Sequence, residues 1–193
     1  MKYCYIDCET TGLDAKRHGI IQLAAIMEID GEEVSRYSEK IRPAPSCAAD
    51  ADALKVSGNT VQMILGYKRE SAAYHDFSEW LGESVSKFDK SDKAFFCGYN
   101  SSFDNQFVRE FFARNNDPYF GSWFWSGTID VMAFALHHLA SSRPEMENFK
   151  LGTVAEKILG HDRVAAITAT VGLHDAMTDI VLTREIFRKI TRV

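Results

Sequence analysis

The chain has 193 residues, 46% of them hydrophobic and 25% charged, with a formal net charge of −5. That balance is ordinary for one globular domain with a full core, and it excludes a duplex binder with a broad cationic face. No run approaches the ~20 apolar residues of a membrane-spanning helix, and the N-terminus lacks the regions of a signal peptide, so no membrane partner is expected and the cytoplasm is the expected compartment.

Met1 to Cys8 is rich in β-forming residues and stops at Thr10-Thr11-Gly12, which predicts a first strand. Asp7 and Glu9 stand two apart on it and so share a face. Two such charges 4 Å apart repel by roughly 4 kcal/mol at an effective dielectric near 20. A divalent cation would neutralise them, although taken alone the pair reads as a solvated strand end. Cys4 and Cys8 lie on the opposite face with Ile6, about 13 Å apart at ~3.3 Å per residue, beyond the reach of a disulfide. With Cys47 and Cys97 they form no Cys-x-x-Cys pair, and buried, reduced thiols are expected.

Gly19 to Ile29 predicts a second strand, Asp30-Gly31 a tight turn, and Val34 to Ile41 a third strand stopped by Pro43 and Pro45. From Ala48 to about Lys87 the pattern is of short helices, broken near Ser57-Gly58 and Gly66, with Asn59 or Thr60 as an N-cap. Lys93 to Cys97 reads as a short buried strand. After it, Gly98-Tyr99-Asn100-Ser101-Ser102-Phe103-Asp104 leads into a helix marked by Phe103, Phe107 and Phe111. Asp104 near that helix start reads by itself as a cap, favoured by the helix dipole.

The aromatic run Tyr119 to Trp125 has two readings: stacking on unpaired bases at ~1 to 3 kcal/mol each, or packing beneath a loop, which is commoner for such a run. Thr128 to Val131 predicts another strand between helices, with Asp130 as a helix cap. Leu151 to Leu159 predicts a helix ended by Gly160, and the last helix runs from about Asp175 to Thr191. His174 and Asp179 are five apart, about 140° around a helix, so His174 is placed in the loop Val171-Gly172-Leu173 ahead of it. No repeat, low-complexity stretch or linker divides the chain, and a single domain of residues 1–193 is expected.

Three segments now stand in order: Asp7-Cys8-Glu9-Thr10-Thr11-Gly12, Asn100-Ser101-Ser102-Phe103-Asp104 and His174-Asp175-Ala176-Met177-Thr178-Asp179. With them the chain resembles the DnaQ-like (DEDD) 3′-to-5′ exonucleases, in the subclass whose last motif carries histidine (DEDDh). The tyrosine subclass would need Tyr four residues before Asp179, where this chain has Asp175. Tyr99-Asn100 replaces the His-Asn of many relatives, and Val56-Ser57-Gly58-Asn59 replaces a His-Gly-Ile segment. Both departures bear on contacts to the terminal nucleotide and leave the motif acids and histidine in place.

The resemblance implies an α/β, ribonuclease H-like fold, with a mixed five-stranded sheet flanked by helices and the four acids at one sheet edge. It implies that Asp7, Glu9, Asp104 and Asp179 hold two Mg²⁺ or Mn²⁺ ions, as an all-oxygen ligand set suits. His174 is then the general base, as a neutral imidazole near physiological pH. Thr10, Thr11 and Leu13 would meet the terminal nucleotide through backbone amides and an apolar wedge. Asn100 and Phe103 would flank it from the other side, with Phe103 reading equally as a core anchor beside Phe107 and Phe111.

The implied activity is removal of nucleoside 5′-monophosphates from single-stranded 3′ ends of DNA, in repair or proofreading. The alternative is an exoribonuclease acting on RNA tails or short oligonucleotides, since discrimination at the 2′-hydroxyl is not encoded in the motifs. A third reading, a non-catalytic end-binding module, is opposed by the presence of all five active-site residues. The four motif acids account for most of the net charge, so modest, salt-sensitive affinity for nucleic acid is expected. Homodimerisation and association with a polymerase are both left open by the sequence.

Overall fold

Strand β1 (Lys2–Thr10) lies inside the sheet, antiparallel to β2 (Ile20–Ile29) on one side and parallel to β5 (Ala94–Gly98) on the other. The structure, a computed structural model, describes residues 1–171 and 175–191. The expected general base, His174, lies outside the described residues. Strand β3 (Glu32–Arg42) follows β2 through Asp30 (φ 51°) and Gly31 (φ 87°). Two successive positive φ values are those of the two-residue hairpin turn that matches strand twist, as Asp-Gly predicts.

Among the described residues the sheet has six strands in the order β4-β3-β2-β1-β5-β6, with β4 (Lys68–Arg69) parallel to the end of β3 and β6 (Phe124–Asp130) parallel to β5. The expected count of five therefore becomes six, within the mixed α/β architecture anticipated. Two residues of β4 carry no alternation that a sequence pattern could register, and only the neighbouring β3 edge makes them a strand. Among the helices, α1 (Ala51–Val56), α2 (Val61–Leu65) and α3 (Glu70–Gly82) fill the stretch read as short helices. Thr60 caps α2 by accepting the Met63 amide.

Two cores cover the two sheet faces. Cys4, Ile6, Leu23, Ala25 and Phe96 point to one face, where α3, α4 (Ser101–Arg114) and α5 (Phe120–Trp123) pack through Phe77, Phe107, Phe111 and Phe120. Tyr5, Ala24 and Ile26 point to the other, beneath α6 (Val131–His138), α7 (Leu151–Leu159), α8 (His161–Val171) and α9 (Ala176–Thr191). The alternation along β1 and β2 is the two-residue period of a strand buried on both faces. In the aromatic run, Phe120, Trp123 and Phe124 are buried in the first core, while Tyr119 and Trp125 remain exposed. Packing is thus the role of most of that run. Helix α8 was not anticipated from the sequence, and Gly160 (φ 88°) marks where α7 stops and α8 begins.

All four cysteines are free, and Cys4, Cys8 and Cys97 are buried. Among the described residues, no helix is long and apolar enough to cross a membrane. Helix α9 is held against β2 by a buried ion pair, Arg184 Nε to Glu28 Oε2 at 2.6 Å, with Arg188 3.6 Å from the same carboxylate.

Candidate active site

Asp7 and Glu9 follow Tyr5 on the face of β1 that looks toward α9, as strand alternation requires. Asp179 sits in the first turn of α9. Carboxylate oxygens of Asp7, Glu9 and Asp179 all lie within 4.8 Å of one another, a spacing that can hold a metal ion. Asp104 reaches the site from the opposite layer. The parallel pairing of β1 with β5 ends at Tyr5, and beyond it the Cys8 amide donates to Asp104 Oδ1 at 2.9 Å. Asp104 is not part of the three-acid group but is close enough to act electrostatically on Asp7.

Burial pushes the Asp7 carboxyl well above the usual carboxylate range, and the charges of Asp104, Asp179, Glu9 and Asp175 add to that effect. Glu9 is pushed up to about 7, first by burial and then by Asp179 and Asp175. Asp104 is pushed up to about 8 by burial, against the opposing effect of the Cys8 amide bond. Folding therefore gathers carboxylates that destabilise one another unless protons or a cation sit among them.

The turn after β1 is braced from within. Thr10 Oγ1 donates to the Gly12 carbonyl at 2.7 Å. Thr11 Oγ1 donates to the Ala48 carbonyl and accepts the Gly19 amide, and the Thr11 amide itself donates to the Gly19 carbonyl. Both donors of Thr11 are thus engaged inside the chain, and this residue shapes the turn. Gly12 packs on the buried His18 ring so closely that a Cβ would lie 2.4 Å from it. His18 in turn lies 3.2 Å from Asp50, through its Nε2.

A cleft of about 720 Å³ opens beside Glu9, walled by Gly12, Leu13, Asp50, Val56 and Phe103. Leu13 is 83% exposed and Val56 68% exposed, so two apolar side chains stand in solvent at its mouth. Phe103 is half-buried: it meets the Phe107 ring at 4.9 Å and also lines the cleft. Asn100 is exposed in the left-handed region (φ 60°, ψ 46°), and its amide donates to Asp130 Oδ1. The same Asp130 oxygen caps α6 through the Met132 amide, so Asp130 is the helix cap expected and a brace for the second motif as well. A second cavity, of about 800 Å³ and lined by Arg42, Ile64, Arg69 and Arg114, adjoins this cleft at Ala49 and contains none of the site acids.

Three features were missed from sequence. Asp175 is an additional acid beside the site, acting on both Asp7 and Glu9. Helix α1 forms a wall of the cleft. Gln22 stands opposite Glu9 and donates to Asp175 Oδ2 at 2.9 Å. A lone polar residue inside the apolar run Ile20-Ile21-Gln22-Leu23 was the available signal for the last of these.

Comparison with known proteins agrees with this geometry. The exonuclease family RNase_T matches residues 4–187. DNA polymerase III PolC-type of Latilactobacillus sakei is 30% identical over 158 residues, covering 81% of this chain and 9% of the polymerase. The Bacillus cereus PolC-type polymerase is 26% identical over 161 residues, covering 81% of this chain and 10% of its own length. The chain thus spans about a tenth of these curated relatives. Among solved structures, a zinc-bound E. coli exonuclease I in complex with single-stranded DNA superposes with a TM-score of 0.76 at 20% identity, covering 99% of this chain and 40% of that one. A second exonuclease I structure gives 0.75 with the same coverage. At that identity the likeness establishes the fold.

Proposed function

This chain belongs to the RNase_T exonuclease family, and on that premise we propose that residues 1–193 form a single 3′-to-5′ exonuclease domain, releasing nucleoside 5′-monophosphates from single-stranded DNA ends. The observation that carries the reading is the convergence of Asp7, Glu9 and Asp179 within 4.8 Å beside a cleft with exposed apolar walls. A phosphodiester end needs charge neutralised at the phosphate and a surface for the base, and the two lie side by side here.

Asp7, Glu9 and Asp179 fit a hard divalent cation, being clustered oxygen donors, with the carboxyls of Asp7 and Glu9 raised by burial and by neighbouring acids. With Asp104 close by, the set suits two Mg²⁺ or Mn²⁺ ions. Such ions, when bound, supply charge neutralisation at the phosphate and a water of lowered pKa. The chain does the rest. Leu13, Val56 and Phe103, which line the cleft, offer apolar surface to the terminal base. The Thr10-Thr11-Gly12 turn is locked by its internal bonds, so it presents a fixed shape to the terminal sugar. His174, adjacent in sequence to Asp175, takes the proton of the attacking water.

The PolC-type relatives make a DNA polymerase the first protein partner to test, and the exonuclease I complexes support single-stranded DNA over RNA as substrate. The experiment is a side-by-side digestion of 5′-labelled DNA and RNA oligonucleotides of equal sequence, with a circular single strand as control, in Mg²⁺ or Mn²⁺. Progressive shortening of the linear DNA from its 3′ end is expected. Cutting of the circle at a comparable rate, or full activity after exhaustive chelation, overturns the proposal. Faster digestion of RNA assigns the enzyme to the ribonucleases of this fold.

A further inference from the structure

We infer that Gln22 is a positioning residue for this reaction: one hydrogen bond to Asp175 fixes the first turn of α9, and with it Asp179, against the strand that carries Asp7 and Glu9. The inference rests on the exonuclease reading of the site and goes on to say what aligns its third acid.

Gln22 faces Glu9 in the antiparallel pairing of β1 with β2, so both project toward α9. It is 8% exposed and the only polar side chain among its buried neighbours Ile20, Ile21, Leu23 and Ala24. A buried amide in that place is costly unless it is bonded, and Nε2 finds Asp175 Oδ2 at 2.9 Å, 153 residues away in sequence. The other oxygen of Asp175 accepts the Met177 amide at 2.9 Å, and its carbonyl accepts the Asp179 amide at 3.1 Å. Capping α9 needs only one carboxylate oxygen. The second is turned to the sheet, where Gln22 holds it.

Asp175 and Asp179 are one helical turn apart and share a face, so an anchor on the first orients the second. The rest of α9 does not depend on it, because Arg184 and Arg188 hold the helix to Glu28 more than two turns further on. What Gln22 adds is the placement of the first turn, which is also where the residue after His174 enters the helix. An amide suits the position better than a carboxylate, since Glu9 and Asp175 already bring two negative charges to it.

The test is a reciprocal exchange: Gln22→Glu, Asp175→Asn, and the two combined. Gln22→Glu alone sets two carboxylates face to face, whereas the combined variant restores a donor against an acceptor with the donor on the other side and the local charge unchanged. Gln22→Glu is expected to lower kcat at least about tenfold with KM within about threefold, and the combined variant to recover kcat to within about threefold of the native chain. Amide hydrogen exchange at Met177 and Asp179 in metal-free protein gives a readout independent of activity, expected to quicken about tenfold in Gln22→Glu and to recover in the combined variant. Should Gln22→Glu fail to fold, Gln22→Met removes the donor at nearly constant length and is read in the same two ways. Native kcat and native exchange in the single variants, or a combined variant no better than Gln22→Glu, overturns the positioning role. A native chain that degrades no single strand would instead overturn the exonuclease reading, and hydrogen exchange would still decide whether Gln22 orders the helix start.

Discussion

Asp7 is half-buried, and desolvation together with the repulsion of four neighbouring acids shifts its carboxyl toward the neutral form when no cation is bound. Asp7→Asn therefore has two opposite expected effects. It should raise the melting temperature of metal-free protein at pH 8, because one carboxyl fewer meets the repulsion of the neighbouring acids. It should also lower cleavage by more than about 10³-fold and abolish the stabilisation by Mg²⁺ or Mn²⁺, because a ligand has gone. Calorimetry with and without the ion, set beside a rate assay, checks both, and an unchanged metal-induced shift would remove Asp7 from the ligand set. His174→Ala should behave differently, lowering kcat by about 10² to 10⁴ while the metal-induced shift persists. A wild-type kcat in that variant across pH 6 to 9 would take the histidine out of the mechanism.

Two elements hold the site in shape, and each has a point where one substitution should loosen it. The turn between β1 and β2 rests on the contact of Gly12 with the buried His18 ring. Gly12→Ala should cost about 1 to 3 kcal/mol through overpacking and should raise KM, since the turn forms part of the cleft wall. Equilibrium denaturation and steady-state kinetics on short oligonucleotides read the two effects, and native values for both would show that the turn yields without loss. Helix α9 rests on Glu28, which is fully buried beneath Arg184. Arg184→Met leaves that carboxylate without its closest cation, and a loss of about 3 to 5 kcal/mol is expected, read as a lower denaturation midpoint. A change below about 1 kcal/mol would mean that Arg188 suffices.

At the scale of the whole molecule, the site joins the two layers that cover the sheet. Asp7, Glu9 and Asp179 belong to the side of α9, and Asp104 comes from α4 on the other side. Packing of both layers brings the acids together, so part of the folding free energy goes into like-charge repulsion. Glu9 and Asp104 rise to about 7 and about 8 in the folded chain. Unfolded carboxyls lose their protons near pH 4. Between that value and about pH 8 the folded chain binds more protons than the unfolded one, so stability falls as pH rises. Metal-free protein is expected to melt at lower temperature at pH 8.5 than at pH 5, with Mg²⁺ or Mn²⁺ reversing the loss at the higher pH. A melting temperature that rises over that interval without metal would contradict the repulsion argument.

Much of this was legible in the chain itself, for local reasons. Asp7 and Glu9 share a face because a strand alternates, Asp30-Gly31 turns because both positions take positive φ, and Gly160 stops α7 for the same kind of reason. The order of the three motifs sufficed for the family. Tertiary structure alone decided whatever depends on residues far apart in sequence. Strand β4 exists because the β3 edge pairs with it, and α1 walls the cleft because the chain doubles back over the turn after β1. Thr11 has its donors engaged by Gly19 and Ala48, which no motif could disclose. Gln22 meets Asp175 across 153 residues. Periodicity and turn chemistry are carried by near neighbours, so they can be read in one dimension; burial, repulsion among carboxylates and the bond that aligns α9 arise only when the sheet and both helical layers close around one edge.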